Sequence, residues 1–249
     1  MMKFLLSPNL PSGNVKKIIC GTTDRKILDF FFANGIEVIS FRQNNNIDVS
    51  VSTHADMAAL HIGEDRIIID KYQSELKYSL SDIGFTVFET VDEVNGKYPY
   101  DVRLNFTVIG NAVVGNHKYA DSKLFELISD KKIIKVNQGY SKCSTLVVNE
   151  KVIITDDESI FKKTSENGIE ALLISKGDIS LDGHEYGFIG GASGKISKDT
   201  VVFFGDITKH RDFNQIASFL SEHGCCFVCS DDGPLRDIGG IIPLLEVQF

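Results

Sequence analysis

Two side chains that can carry acid–base chemistry stand one residue apart in the segment Thr53-His54-Ala55-Asp56. An imidazole titrates near neutral pH and can therefore pass a proton in either direction. A carboxylate presents two acceptor oxygens, which suit the paired N–H donors of a flat cation. A His-x-Asp string specifies only two positions, so the alternative of a structural histidine, bonded to backbone at the start of a strand, stays open.

A thiol lies in a second polar segment, Gly139-Tyr140-Ser141-Lys142-Cys143-Ser144. Thiolates are strong nucleophiles, and a cation such as the neighbouring Lys142 lowers the pKa of a thiol. The apolar run Leu146-Val147-Val148 follows closely, however, and a free cysteine beside such residues is often a small buried side chain. Cys143 is therefore either a nucleophile or a packing residue.

Two further sequence motifs give weaker indications of a functional site. The glycine-rich stretch 187–195 has Ile189 where the Walker A pattern needs Gly and Ile196 where it needs Ser or Thr, so it predicts close backbone approach rather than phosphate binding. Cys226-x-x-Cys229 has the spacing of half a zinc site, but residues three apart on a strand face opposite ways. We interpret these cysteines as part of a buried strand, and we expect no metal and no cofactor.

The composition is that of an ordinary globular chain. The 249 residues include 26 Lys and Arg against 34 Asp and Glu, which gives a net charge of −8, and 43% are hydrophobic. Scattered positive charges disfavour nucleic acid as a partner, and no apolar run reaches the roughly 18 to 20 residues that a bilayer needs. The five cysteines are an odd number, and the first apolar stretch is too short for a secretory leader. We therefore expect a cytoplasmic protein without disulfides that binds a small molecule, and leave the oligomeric state open.

One order of elements recurs five times, at intervals of about 45 residues. An amphipathic stretch predicts a helix, and the glycine that follows four of the five predicts a left-handed cap before a short apolar strand. The predicted helices are 24–34, 74–83, 121–129, 158–167 and 213–223, and the strands after them are 35–40, 84–90, 131–137, 168–175 and 224–230.

Two more strands complete each unit. The weaker ones are 54–63, 102–110, 143–149, 186–196 and 235–238, and the stronger ones that follow are 65–70, 111–116, 151–157, 200–206 and 239–246. Residues 55–70 and 141–156 match in length and in their apolar positions. The strand 15–21 has no helix before it and is predicted to close the fifth unit from the other end of the chain.

This organisation resembles the pentein fold, the five-bladed pseudo-symmetric α/β propeller of arginine deiminases, dimethylargininases and amidinotransferases, and in particular an uncharacterised bacterial branch of that superfamily. The resemblance is one of architecture and spans nearly the whole chain. It implies an α/β fold of five helix–strand–strand–strand repeats around a central channel, in one domain over residues 1–249. Fold alone does not specify function, since a ribosome-associated initiation factor also resembles a pentein and catalyses nothing.

The resemblance places the weaker strands at the channel and their first residues at its rim. Besides His54, Asp56 and Cys143, this nominates Asp101 and Gly190–Gly194, and as substrate-binding residues Arg103, Asn105, Tyr140, Ser141, Arg236 and Asp237. Two channel arginines favour an anionic group on the ligand, unless each belongs to an Arg–Asp pair that joins two units.

In the superfamily a thiolate attacks the guanidinium carbon, and an H-x-D element supplies the acid–base and a carboxylate for the guanidinium. The resemblance thus implies a hydrolase or amidinotransferase for a guanidino or amidine compound, with Cys143 as nucleophile, His54 as acid–base and Asp56 as substrate partner. The superfamily's cysteine lies in the last unit, where this chain has Gly233–Gly240 and no cysteine. Either Cys143 acts from a rotated position, or the chain is a non-catalytic binding protein for a small anionic metabolite or a macromolecular partner.

Overall fold

Apolar residues four positions apart give the longer helices one buried face. Ile27 and Phe31 are buried in the first helix, and Ile216 and Leu220 in the last. The computed structural model describes residues 2–248, and its helices are α1 (Arg25–Ala33), α2 (Ala55–Ala58), α3 (Ser74–Asp82), α4 (Ser122–Leu127), α5 (Glu158–Glu166) and α6 (Phe213–Glu222), with a 3-10 turn at Ile207–Lys209. The predicted left-handed glycines after four helices are confirmed, with positive φ at Gly35, Gly84, Gly168 and Gly224.

The strands are short and fall where the periodicity predicts most of them. They are β1 (Lys3–Phe4), β2 (Asn14–Ile19), β3 (Glu37–Ile39), β4 (Ala59–Gly63), β5 (Arg66–Ile69), β6 (Thr86–Glu89), β7 (Thr107–Ile109), β8 (Ala112–Gly115), β9 (Lys132–Lys135), β10 (Thr145–Asn149), β11 (Val152–Thr155), β12 (Glu170–Leu173), β13 (Ile179–Ser180), β14 (Ser193–Lys195), β15 (Thr200–Phe203), β16 (Cys226–Cys229), β17 (Leu235–Arg236) and β18 (Ile242–Val247).

Five sheets share one pairing scheme. In β4-β5-β6, β7-β8-β9, β10-β11-β12 and β14-β15-β16, the first two strands are antiparallel, and a helix then carries the chain to a third, parallel strand. The fifth sheet has the order β1-β18-β2-β3, and β13 and β17 form a small parallel pair. The repeating element of this α/β fold is thus strand–strand–helix–strand. The predicted elements recur in the predicted order, but the strand after each helix joins the two strands before that helix rather than the two after it.

Two of these sheets correspond residue by residue. Ala59 pairs with Ile69 in one, and Thr145 pairs with Thr155 in the other. Both antiparallel pairs contain a register shift at the same place, after His61 in the first and after Val147 in the second. The sequence match between 55–70 and 141–156 thus reflects equal backbone geometry, and it puts Cys143 at the position that Met57 has in the earlier sheet.

The first and last long strands of the chain share a sheet. β2 pairs antiparallel with β18 through Ile19 and Ile242, so the predicted closure by the N-terminal strand is confirmed. The predicted strand 239–246 is β18 and lies beside β2 in this sheet. The weaker strand predicted at 235–238 does not join it, since its residues Leu235–Arg236 form β17 and pair with β13.

The predicted rim positions do not begin strands. His54 precedes the one-turn helix α2, and the segments 101–106 and 140–144 are turns, closed by bonds such as Ser144 N–H to the Tyr140 carbonyl at 2.9 Å. The strands proper begin only at Ala59, Thr107 and Thr145. Local turn hydrogen bonds satisfy the backbone in these segments and leave the polar side chains free to point in directions that a strand would not allow.

The apolar core includes five clusters that each join two sheets, besides a small sixth cluster of Ile47, Val51, Met57 and Val94 that contains no strand residue. One of the five packs Ile27 and Phe31 of α1 against Val202 and Phe204 at β15. The other four join β18 to β4, β4 to β7, β7 to β10 and β10 to β15 in the same manner. Each sheet is thus held by its neighbours in the chain, and the polar segments that precede the strands are held with it.

The cysteines are all free, and their burial differs. Cys20, Cys143 and Cys225 are buried, Cys229 is half-buried and Cys226 is exposed, so the expectation that Cys226 is a packing residue is wrong. The reason is the alternation of strand β16, which turns Cys226 away from the core. Over residues 2–248, none of the helices has the length and apolar character required to cross a membrane.

Phe31 and Phe32 offer a matched test of the helix face. Phe31 is fully buried and Phe32 is 85% exposed, although both lie in α1. We expect Phe31→Ala to lower the free energy of unfolding by about 3 to 5 kcal/mol, because it leaves a cavity, and Phe32→Ala to change it by less than about 0.5 kcal/mol. Urea denaturation measures both, and similar losses for the two variants would contradict the assignment of the buried face.

Candidate active site

His54 and Asp56 enter the site from the start of α2. His54 is the residue before the helix, with φ −76° and ψ 127°, and Asp56 lies in its only turn. Their side chains are buried, at 3% and 2% exposure. His54 Nδ1 lies 3.8 Å from Asp237 Oδ1, which is too long for a hydrogen bond. Within residues 2–248, His54 Nδ1 and Asp56 Oδ1 are buried atoms without a hydrogen-bond partner.

Cys143 reaches the same point from the turn before β10. Its thiol donates to Asp56 Oδ2 with a Sγ–Oδ2 distance of 2.8 Å. Asn105, which is fully buried, donates through Nδ2 to Cys143 Sγ at 3.3 Å, and its Oδ1 accepts the backbone N–H of Lys142 at 2.8 Å. The amide of Asn105 thus holds both the sulfur and the turn that carries it.

Three side-chain atoms that could exchange a proton or bind a metal ion lie close together, one each from His54, Asp56 and Cys143. They lie within 4.8 Å of one another. One imidazole nitrogen, one carboxylate oxygen and one sulfur at this separation suit proton transfer to and from a thiol. The same set is also of a kind that a transition-metal ion accepts.

Burial dominates the electrostatics of this cluster. Desolvation raises the pKa of Asp56 to about 6, although His54 and the hydrogen bond from Cys143 oppose the shift. Desolvation, reinforced by the nearby carboxylates of Asp56 and Asp237, raises the pKa of the Cys143 thiol well above its usual range. Burial also lowers the pKa of Lys142. At neutral pH the free protein therefore holds a neutral thiol hydrogen-bonded to an ionised carboxylate.

Asp237 is positioned by backbone groups. Its Oδ2 accepts the N–H of Phe188 and its Oδ1 accepts the N–H of Gly239, each at 2.9 Å. A Cβ on Gly191 would lie 1.8 Å from Asp237 Oδ1, so the glycine-rich segment allows backbone to approach this carboxylate closely. A Cβ on Gly239, which has φ +75°, would lie 2.2 Å from His54 Cβ. Glycine is required at both places so that His54 and Asp237 can lie together.

A cavity of about 230 Å³ opens onto this cluster. Its lining comprises Val51, His54, Tyr140, Cys143, Leu181, His184, Glu185, Tyr186, Phe188 and Asp237. A second cavity, of about 330 Å³, shares His54, Leu181 and Asp237 with the first and is otherwise lined mainly by polar residues such as Thr22 and Ser50. Cys143 thus lines the first cavity although it is only 1% exposed.

The two nominated arginines contact acidic side chains outside the cluster of His54, Asp56 and Cys143. Arg103 Nη1 lies 3.6 Å from Asp92 Oδ2. Arg236 Nη2 lies 2.6 Å from Asp231 Oδ2 and 3.3 Å from Asp24 Oδ2, so it joins the segment after β16 to the start of α1.

The nominated residues Ser141 and Tyr140 make hydrogen bonds within the protein. Ser141 is fully buried, and its hydroxyl donates to the Gln138 carbonyl at 2.8 Å. Tyr140 lines the first cavity, and its hydroxyl donates to Asp101 Oδ2 at 2.8 Å.

The segment 181–188 is the part of the site that the sequence pattern does not indicate. It supplies half of the cavity wall: Leu181, His184, Glu185, Tyr186 and Phe188. We predicted a strand from residue 186, whereas the chain runs as a loop from β13 to β14 that is tied to β17. The occurrence of His184, Glu185, Tyr186 and Phe188 within five residues was a usable signal, because loops often carry binding residues.

Comparisons with known proteins agree with this fold. A sequence profile described as "Family of unknown function (DUF6873)" matches residues 18–242. The curated proteins include no match by sequence. Among solved structures, the chain is similar to inosamine-phosphate amidinotransferase from Streptomyces griseus, with 11% identity, a TM-score of 0.59 and 97% of each chain covered.

Two more solved structures are similar. One is an amidinotransferase of the saxitoxin biosynthetic pathway from Microseira wollei, with 10% identity, a TM-score of 0.56, and 89% of this chain and 91% of that chain covered. The other is agmatine deiminase from C. jejuni, with 13% identity, a TM-score of 0.53, and 93% and 91% covered. These enzymes have the pentein fold, so the resemblance seen in the sequence is confirmed for the fold.

A pair of glycine substitutions tests the contact between Gly239 and His54. Gly239 and Gly224 both have positive φ, but a Cβ at Gly224 meets nothing within 4 Å. We expect Gly224→Ala to lower the free energy of unfolding by about 1 to 2 kcal/mol through backbone strain alone. Gly239→Ala must also displace His54 and should cost at least about 3 kcal/mol by urea denaturation. Equal losses would contradict the close contact.

The raised pKa of Asp56 predicts how stability depends on pH. The folded protein binds this proton more tightly than the unfolded chain, because the pKa rises from 3.8 to about 6. The stabilisation is therefore complete below about pH 4 and is lost as the pH rises through 6. Relative to Asp56→Asn, the free energy of unfolding of the wild type should fall by roughly 2 to 2.5 kcal/mol between pH 4 and 7 and then level off.

Urea denaturation at a series of pH values measures this difference. Asp82→Asn, at an exposed position, is the control. A difference between wild type and Asp56→Asn that does not vary with pH would show that the carboxylate is not desolvated.

Proposed function

We propose that this chain, which belongs to the family of unknown function DUF6873, is an enzyme that acts on the guanidinium or amidinium group of a small molecule through Cys143. The observation that carries the proposal is the thiol of Cys143, 2.8 Å from a buried carboxylate and close to His54, at the wall of a cavity. The activities in the names of the similar structures, amidinotransferase and agmatine deiminase, support the same class.

We propose further that the five sheets form a single five-bladed propeller with the site at its channel. The five apolar clusters support this, because together they join each sheet to the next and the last to the first. In this arrangement the nucleophile comes from a different unit than in the superfamily. Gly239, in the last unit, has no room for a side chain, because His54 occupies that space.

The reaction begins with the resting hydrogen bond. A guanidinium or amidinium that enters the cavity brings its positive charge beside Cys143, which lowers the pKa of the thiol. The proton moves from Sγ to Asp56 Oδ2 over the existing contact, and the sulfur lone pair forms a bond to the central carbon. The π electrons of the C=N bond move onto nitrogen, and Asp237 pairs with the remaining N–H groups.

The tetrahedral adduct then breaks down. Protonated His54 donates a proton to the leaving amine, which departs with the electrons of its C–N bond and leaves an S-amidino group on Cys143. Neutral His54 next accepts a proton from water, whose oxygen attacks the same carbon. The S–C bond then breaks as the hydroxyl of this adduct becomes a carbonyl and releases its proton to water, and the return of the proton from Asp56 to sulfur restores the thiol. An amine in place of water would make the reaction an amidino transfer.

The remaining nominated residues have supporting roles in this scheme. Tyr140 and Asp237 line the cavity and contact the ligand. Asn105 is a positioning residue, because it holds the sulfur and the turn of Cys143. Arg103 and Arg236 are engaged by acidic side chains and stabilise the fold.

One observation favours a second candidate, a non-catalytic protein that binds a small cation in the same cavity. Desolvation raises the pKa of the Cys143 thiol, and the nearby carboxylates of Asp56 and Asp237 add to that shift. Such a thiol is a weak nucleophile until a cation is bound. Ligand binding without any chemical turnover would support this candidate over the enzyme.

A pair of thiol reagents tests the proposal. Chloroacetamidine carries an amidinium and iodoacetamide is neutral. At each cysteine, the rate of modification by chloroacetamidine is divided by the rate with iodoacetamide. We expect this ratio to be at least about tenfold larger at Cys143 than at the exposed Cys226, because the acidic cluster attracts the cation. Peptide mass spectrometry gives the rates at both cysteines, after treatment with a chelator to remove any bound metal.

Two substitutions test whether the neighbouring side chains, and not the accessibility of the thiol alone, determine the reactivity of Cys143. Asp237→Asn should reduce the preference for chloroacetamidine at Cys143, and His54→Ala should slow modification by this reagent, while Cys226 reacts as before. If Cys143 is not modified, or if the two reagents show the same ratio at both cysteines, the proposal is wrong.

A further inference from the structure

We propose that the ligand of this cavity is a guanidine or amidine whose tail carries no carboxylate and is uncharged or cationic. This inference rests on the function proposed above and concerns which compounds of that class bind. It comes from the charges and rings that line the cavity away from Cys143.

The charged groups of the cavity wall are acidic. Among the described residues that line it, Glu185 and Asp237 are carboxylates, His54 and His184 are histidines, and there is no lysine or arginine. Asp56 adds a third carboxylate directly behind the wall, hydrogen-bonded to Cys143. A ligand tail that ended in a carboxylate would meet like charge and no opposite one.

The nearest cations already have partners. Arg236, at the second cavity, contacts Asp231 and Asp24. Lys142 is buried near the carboxylates of Asp56 and Asp237. Lys176 lies outside the first cavity, with Nζ 5.5 Å above the ring of Tyr186. To use one of these cations, a carboxylate would have to break an existing contact and lose its own hydration, which is costly in an enclosed site.

Part of the cavity wall is aromatic. The ring centroids of Tyr140 and Phe188 lie 6.2 Å apart, and those of Phe188 and Tyr186 lie 5.9 Å apart. Tyr98, which is not part of the lining, packs behind Tyr140 at 5.3 Å. Aromatic faces attract cations and bury apolar carbon, so this wall suits a methylene chain, a ring or a second cationic group.

Agmatine and arginine test the inference, because they differ only by the carboxylate. We would measure their binding to the full-length Cys143→Ala variant, which cannot turn them over, by isothermal titration calorimetry. We expect agmatine to bind at least about tenfold more tightly than arginine. Arginine methyl ester, in which the carboxylate is masked, should recover most of the difference.

Two substitutions locate the effect. Glu185→Gln should narrow the ratio between agmatine and arginine, whereas Glu150→Gln, at an exposed turn, should leave it unchanged. Phe188→Ala should weaken agmatine roughly two- to fivefold through loss of the ring.

The outcomes are distinguishable. Arginine binding as tightly as agmatine, or more tightly, would overturn this inference and leave the proposed function standing. Failure of agmatine, arginine, its ester and benzamidine to bind at all would overturn the proposed function and this inference with it.

Discussion

The site depends on one hydrogen bond, from the thiol of Cys143 to the carboxylate of Asp56, between residues 87 positions apart in the chain. Both groups are almost fully buried, and each affects the protonation of the other. The carboxylate keeps the proton on sulfur, and the thiol partly compensates the carboxylate for the water it has lost. If either side chain were moved by an ångström or two, a buried charge would lose one of its few polar contacts.

Much of the surrounding structure serves to hold these two groups in place. Asn105, from a third segment of the chain, fixes the sulfur and its turn. Close backbone approach at Gly191 and Gly239 lets Asp237 and His54 share the space beside them. The apolar clusters that join neighbouring sheets keep these segments in register, because the interior does not tolerate empty volume. The packing of the core therefore also determines the geometry of the site.

The sequence predicts local features well and long-range ones poorly. The helices and the strands after them follow from periodicity and glycine positions, and the closure by β2 follows from the absence of a helix before it. Residue types, together with the resemblance to the pentein fold, nominated His54, Asp56 and Cys143. The contact between Arg236 and Asp24 could not be read in the same way, since the two residues are more than two hundred positions apart. Nor could the pairing of β13 with β17, which places residues 181–188 at the cavity, because a two-residue strand leaves no periodic signal.

His54 lines both cavities, and the two differ in character. The first is walled by aromatic rings, while the second is lined by hydroxyl and carboxylate groups such as those of Thr22, Ser50 and Asp24. The imidazole therefore borders two spaces of different polarity. A molecule that filled the first would still leave His54 next to the polar lining of the second, which also includes Arg236.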